Sequence, residues 1–192
     1  MPSAREIVKE VGRYFPEVAK PVRKLGLGER FIWTGLVLVI YVLMSHTFLY
    51  GVPQAAKLSQ QNPIILNIIF AQRMGTLTTL GIGPIVTAGL ILQLLVGAQI
   101  IKLDLSKPED RAVFTAASKI FSVVVTVFEA AVFTFSGMLG KMDFNTQILV
   151  FVQLVAATTL IVLMDELVQK GWGLGSGVSL FIAVGVAENI IV

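Results

Sequence analysis

The sequence has no cysteine, a single histidine and few charged residues. Of its 192 residues, 14% are charged and 55% are hydrophobic, with a mean hydropathy of +0.83. Soluble domains carry about 25% charged residues. The lack of cysteine excludes a disulfide framework and a thiolate metal site, and His46 alone cannot form a metal cluster. The low charge excludes a disordered chain, a basic nucleic-acid-binding domain and an ordinary cytosolic enzyme, so we expect a chain surrounded by lipid, without cofactor or metal.

Five long apolar stretches are able to cross a membrane. A helix needs roughly 20 apolar residues to span about 30 Å of hydrocarbon. The central parts of the stretches carry no charge except Glu129 in the third and Glu188 in the fifth. Residues 31–192 are therefore predicted to form an all-α unit of five transmembrane helices, at about 31–51, 82–101, 118–139, 145–166 and 175–192.

Lysine and arginine are distributed unequally between the two sides of these spans. Twelve lysines and arginines lie in residues 1–30, between the second and third spans, or after the fourth span. The other three, Lys57, Arg73 and Lys141, lie on the opposite side. Cytoplasmic loops are enriched in both residue types, so we expect a cytoplasmic N-terminus. Residues 1–30 form the cytoplasmic N-terminal segment, whose apolar positions before Pro16 suit either a helix on the membrane surface or a solvated charged helix.

Two segments are irregular for a plain helical bundle. Asn62 and Pro63 start an uncharged helix that would reach about 18 Å by Arg73, too short to cross. It either re-enters the membrane from outside or rests on the outer surface. The other feature is the glycine run that precedes Val178, matched by Gly81-Ile82-Gly83-Pro84 before the second span. Glycines in spans usually allow close helix packing, so the run alone does not establish a pore.

Glu129 is the charged residue closest to the middle of a span. A charge at the bilayer centre costs roughly 3 kcal/mol, so the carboxyl is expected to face the bundle and a polar partner. Thr87, Gln93 and Thr126 are the candidates. Either a protonated, structural carboxyl or a gating contact fits this position. Asp165, Glu166 and Glu188 lie near span ends, where we expect them to reach the membrane surface, and are assigned no chemistry. No nucleophile lies beside a base, so we expect no enzymatic activity.

Two long motifs resemble the SecY family, the large subunits of protein-conducting channels, in its archaeal and eukaryotic branch. Residues 75–97, with Gly81-Ile82-Gly83-Pro84, are similar to the family's second span, and residues 165–182 to the start of its fifth. Phe15-Pro16-Glu17-Val18 also resembles the family's N-terminus. The resemblance covers the whole chain but only the first five of the family's ten spans. It implies one half of an inverted-repeat channel with a short re-entrant plug helix.

The resemblance also implies roles for particular residues. Ile82, Val86, Val178 and Ile182 would be this half's share of an apolar pore ring, and Thr87 and Glu129 would belong to the polar cluster of the lateral gate. The plug would consist of Asn62, Pro63, Ile64, Ile65, Leu66, Asn67, Ile68, Ile69, Phe70, Ala71, Gln72, Arg73 and Met74.

The implied function is translocation of secretory polypeptides across the cell membrane and lateral insertion of membrane proteins. The implied partners are the C-terminal half of the channel, the small SecE/gamma-type and beta-type subunits, the nascent polypeptide with its signal sequence, the ribosome and the lipid bilayer. Half of an inverted-repeat secondary transporter is the alternative, although its coupling ions normally need several deep polar ligands and here only Glu129 lies deep. A structural membrane subunit that packs through its glycines is a third reading.

Overall fold

The computed structural model describes residues 18–23, 25–52, 72–101 and 103–191. These ranges contain five α-helices, which confirms the predicted all-α architecture. A π-helical turn, Val168–Trp172, directly follows the fourth helix. The helices are α1 Leu27–His46, α2 Gly83–Gly97, α3 Pro108–Phe135, α4 Phe144–Leu167 and α5 Gly177–Ile191.

Three of the helices are long and apolar enough to cross a membrane: α1, α3, and α4 together with the π turn. The other two, α2 and α5, are shorter apolar helices. Large side chains such as Phe128 on α3 and Leu43 on α1 are exposed on the outside of the bundle. Apolar outer faces of this extent suit contact with lipid rather than water.

The first helix ends at His46, five residues before the end of the predicted span. The chain then runs extended, and the Leu49 N–H donates to the Gly75 carbonyl at 2.9 Å. Phe48 and Thr76 form an antiparallel bridge there. Leu49 and Val52 are buried against α3 and α4, whereas Phe48 and Tyr50 are exposed, so only part of this apolar stretch serves core packing.

The third helix begins at Pro108, ten residues before the predicted span. Proline is favoured at a first helical position, and Glu109 and Asp110 suit the positive end of the helix dipole. In the turn before it, the Ser106 hydroxyl donates to the Asp104 carboxylate at 2.5 Å and lowers the pKa of that carboxyl. The α3 helix therefore extends past its apolar part at this end.

The helices pack in a simple order. The α2 helix lies along α3, α3 lies along α4, and α4 also contacts α1 and α5. One buried cluster joins α1, α4 and α5 around Tyr41, Ile161 and Phe181. The rings of Tyr41 and Phe181 are stacked, with their centroids 4.5 Å apart. A second cluster fills the space between α3, α4 and the chain after α1. The N-terminal helix predicted before Pro16 lies outside the described residues.

Candidate functional site

The segment that leads into α2 is irregular and held by threonine hydroxyls. The Thr76 hydroxyl donates to the Arg73 carbonyl at 2.7 Å, lies 3.0 Å from the Thr78 hydroxyl, and accepts from the Thr78 N–H at 3.2 Å. The Thr79 hydroxyl donates to the Thr76 carbonyl at 2.6 Å. All three threonines are buried, so these bonds supply partners that a helix would have given the backbone. Gly81 then turns the chain into Ile82 and Pro84 at the helix start.

Only the last three residues of the predicted plug are among the described residues, and Asn62 to Ala71 lie outside them. Gln72, Arg73 and Met74 are half-buried beside the threonine segment. The Gln72 side chain donates to the Leu80 carbonyl at 3.1 Å, and Arg73 Nη1 donates to His46 Nε2 at 3.1 Å. The end of the predicted plug is thus tied to the end of α1 and to the start of α2.

The start of α5 is held by side chains from other helices. Gly171, with φ of 100°, reverses the chain after α4. The Thr34 hydroxyl of α1 then accepts from the Leu174 N–H at 3.0 Å. Asp165, near the end of α4, accepts from the Val178 N–H at 3.0 Å and from the Gln169 side chain at 2.7 Å. The first turn of α5 therefore has its hydrogen-bond acceptor on α4.

The four predicted ring residues lie around a single apolar cluster. Ile82 is fully buried within the cluster that contains Tyr41 and Phe181. Val86, Val178 and Ile182 are partly buried and pack against the same cluster. The structure therefore brings the starts of α2 and α5 to the same group of side chains, although their sequences lie about ninety residues apart.

A cavity of about 400 Å³ opens between α2, α3, α4 and the start of α5. Val86 and Val178 line it on the apolar side, whereas Gln93, Asp165 and Glu166 give it polar and charged walls. The charged wall lies on the side that the lysine and arginine distribution predicts to be cytoplasmic. Two of the predicted ring residues therefore share one cavity with the charged side chains of Asp165 and Glu166.

An ion-pair network reinforces this charged wall. The Glu166 carboxylate lies 2.7 Å from Lys119 Nζ on α3 and 2.8 Å from Lys170 Nζ in the π turn. The side chains of all three residues are mostly buried. Lys170 also donates to the Val18 carbonyl at 2.6 Å, which ties the segment before α1 to the end of α4.

Thr87 and Glu129, the predicted gate residues, lie on the adjacent helices α2 and α3. Both are half-buried. Within the part of the chain that the structure describes, no hydrogen bond joins them. Thr126, on the same helix as Glu129, is buried and donates its hydroxyl to the Ser122 carbonyl at 2.8 Å, so its hydroxyl is engaged within α3.

Asp165 and Glu166 are the residues that sequence reasoning passed over. Their position near the end of a span predicts contact with the membrane surface. Instead, Asp165 is only 6% exposed, and Glu166 forms ion pairs with two lysines. One sequence signal could have singled out Asp165. An acidic residue at the negative end of a helix dipole is unfavourable for its own helix, which indicates a partner elsewhere.

Comparison with known proteins decides the family. A family model described as SecY matches residues 76–192. The protein translocase subunit SecY of Pyrococcus furiosus is 45% identical over 192 residues, which cover 98% of this chain and 40% of the relative. The chain belongs to the SecY family. With its apolar helices, this SecY-family chain is a multi-pass membrane protein.

Solved structures agree with this assignment. A structure of a protein-conducting channel matches the SecY-family chain with a TM-score of 0.85 and 41% identity over 94% of this chain. Sec61 in the canine ribosome-channel complex from the endoplasmic reticulum matches with the same TM-score and identity. In both cases the match covers 41% of the other chain. The chain spans about 40% of the length of the curated relatives it matches.

Proposed function

We propose that this SecY-family chain is part of a channel that carries unfolded secretory polypeptides across the cell membrane. The observation that carries the proposal is the meeting of Ile82, Val86, Val178 and Ile182 around one apolar cluster, beside a cavity with charged residues on its wall. The homology to SecY supports the same role.

The proposed mechanism is passive. Apolar side chains around a narrow point offer no donors or acceptors that would retain a passing chain, and the narrow point dewets when it is empty. The charged residues on the wall of the adjacent cavity would help to keep that side of the ring hydrated. No bond is made or broken, and a partner that pushes or pulls the polypeptide supplies the energy.

The predicted plug and gate complete the proposal. The segment 62–74 would block the outer side of the ring, and the bonds of Gln72 and Arg73 to neighbouring segments support a fixed end for it. Thr87 and Glu129 would face the other half of the channel at the lateral gate. An apolar segment leaving through that gate gains about 25 cal/mol per Å² of apolar surface transferred to lipid. The polar pair would set how apolar the segment must be.

The proposed orientation places the N-terminus in the cytoplasm. The bond from Lys170 to the Val18 carbonyl, and that from the Trp172 indole to the Ala19 carbonyl at 2.7 Å, support one common side for the segment before α1 and the turn after α4. This is also the lysine- and arginine-rich side. The proposed partners are the C-terminal half of the channel, the small Sec subunits, the signal sequence and nascent chain, and the ribosome.

Photocrosslinking tests the proposal. A photoreactive residue is placed at Ile82 or Val178 in the full-length, assembled channel, and a secretory chain is stalled in transit. The stalled chain should crosslink at both positions, but not at Val39, which is exposed on the outer face of α1. Absence of crosslinks at Ile82 and Val178, with uptake of a small solute intact, would instead favour the transporter.

A further inference from the structure

The carboxylate of Asp165 lies where the start of α5 needs an acceptor. The first N–H groups of any helix lack partners within that helix. In α5, the Val178 N–H finds its partner thirteen residues earlier in the chain, at Asp165 Oδ1, 3.0 Å away. A capping side chain usually precedes its helix directly. Here the cap belongs to a different helix, so it also fixes the distance between the two.

Gly177 allows this close approach. A Cβ at Gly177 would lie 2.7 Å from both the Cα and Oδ1 atoms of Asp165, too close for real atoms. The backbone of α5 therefore rests against the backbone of α4 at this point. Because the Asp165 Cα is part of a regular helix, it cannot swing away as the end of a long side chain can.

The charge of Asp165 suits α5 and not α4. Near the end of α4 a carboxylate meets the negative end of the helix dipole, whereas at the start of α5 it meets the positive end. The second carboxylate oxygen accepts from Gln169 at 2.7 Å, which fixes the plane of the group. Asp165 is only 6% exposed, so most of its hydrogen bonding is with these protein partners.

We infer that Asp165 is a positioning residue, whose carboxylate sets the place of Val178 among the predicted ring residues. The Val178 N–H donates to this carboxylate, and the Val178 side chain packs against the cluster that contains Ile82. A shift of the α5 start moves Val178 and then Ile182, one turn further on. The inference rests on the proposed function, since the ring is what the shift would open.

Two substitutions separate the position of the acceptor from its charge. Asp165→Asn keeps an oxygen at the same distance from the backbone and removes the charge. Asp165→Glu keeps the charge and moves the oxygens outward by one methylene. Each variant of the full-length channel, with its partner subunits, is reconstituted in a planar bilayer, and the resting ion conductance is measured after the thermal stability of the complex has been recorded.

Asp165→Glu should raise the resting conductance several-fold, whereas Asp165→Asn, which keeps the acceptor in place and loses only the favourable charge, should raise it less. Glu109→Ala, which removes an exposed carboxylate from the first turn of α3, should change nothing. The reverse order, with a leak in Asn and none in Glu, would overturn the inference because charge alone would then matter. Unchanged conductance in both folded variants would overturn it as well.

An Ile82→Asn channel measured in parallel keeps this inference apart from the proposed function. If Ile82→Asn leaks and Asp165→Glu does not, only the positioning role of Asp165 fails. If Ile82→Asn itself does not leak, the ring and the proposed function fail first.

Discussion

The starts of α2 and α5 reach the same apolar cluster, but they are held in opposite ways. Before α2, neutral hydroxyls of neighbouring threonines bond to one another and to the local backbone, as Thr76 does with Arg73 and Thr78. Before α5, the decisive acceptor is the charged carboxylate of Asp165 on another helix. The first start is stabilised within its own segment, whereas the second depends on the packing of α5 against α4. Single substitutions should therefore disturb the second start more than the first.

Gly177→Ala should produce the largest loss of stability. The added methyl would lie 2.7 Å from the Asp165 backbone, and overpacking of this kind costs typically about 1–3 kcal/mol, here near the upper value because helix backbone must move. A lower apparent Tm of the purified full-length complex is the expected result.

Gly89→Ala is the matched control for that change. Gly89 lies within α2, and nothing lies within 4 Å of an added Cβ there. Alanine is favoured over glycine inside a helix by roughly 0.5–1 kcal/mol, so the Tm should stay the same or rise. Equal losses in the two variants would contradict the special closeness of α4 and α5.

Thr76→Val should have a smaller effect at the start of α2. The change removes the hydroxyl that binds Arg73 and Thr78 and leaves the buried Thr78 N–H without its acceptor. The expected cost is about 2 kcal/mol in the unfolding free energy, again read as a drop in Tm. Thr115→Val, at an exposed hydroxyl that bonds within α3, should leave the Tm unchanged and serves as the reference. A loss larger than that of Gly177→Ala would reverse the comparison.

Much of this architecture could be predicted from the sequence, because apolar runs and glycine-proline breaks are local properties. The interrupted starts near Gly81 and Gly173 are of this kind. The role of Asp165 could not be predicted in the same way, since it depends on a chain reversal at Gly171. The end of α1 at His46 could not be predicted either, because the apolar Leu49 would fit a longer membrane helix as well as a buried extended segment.

Glu129→Gln should have the smallest effect on stability, since Glu129 belongs to neither helix start and is only half-buried. Its expected effect is on function. Removal of the carboxylate should shift the hydrophobicity at which a test segment leaves the channel for lipid, measured with a graded series of leucine-containing segments in vesicles. If the hydrophobicity threshold does not change, Glu129 has only a structural role in α3.

The resting conductance of the full-length channel tests the central claim most directly. Ile82 is fully buried in the cluster that Val86, Val178 and Ile182 adjoin, and its replacement by asparagine should wet the narrow point. Ile82→Leu keeps an apolar side chain of similar volume and is the control. We expect a clear ion leak through Ile82→Asn and none through Ile82→Leu. A folded Ile82→Asn channel that stays as tight as the unmodified one would contradict it.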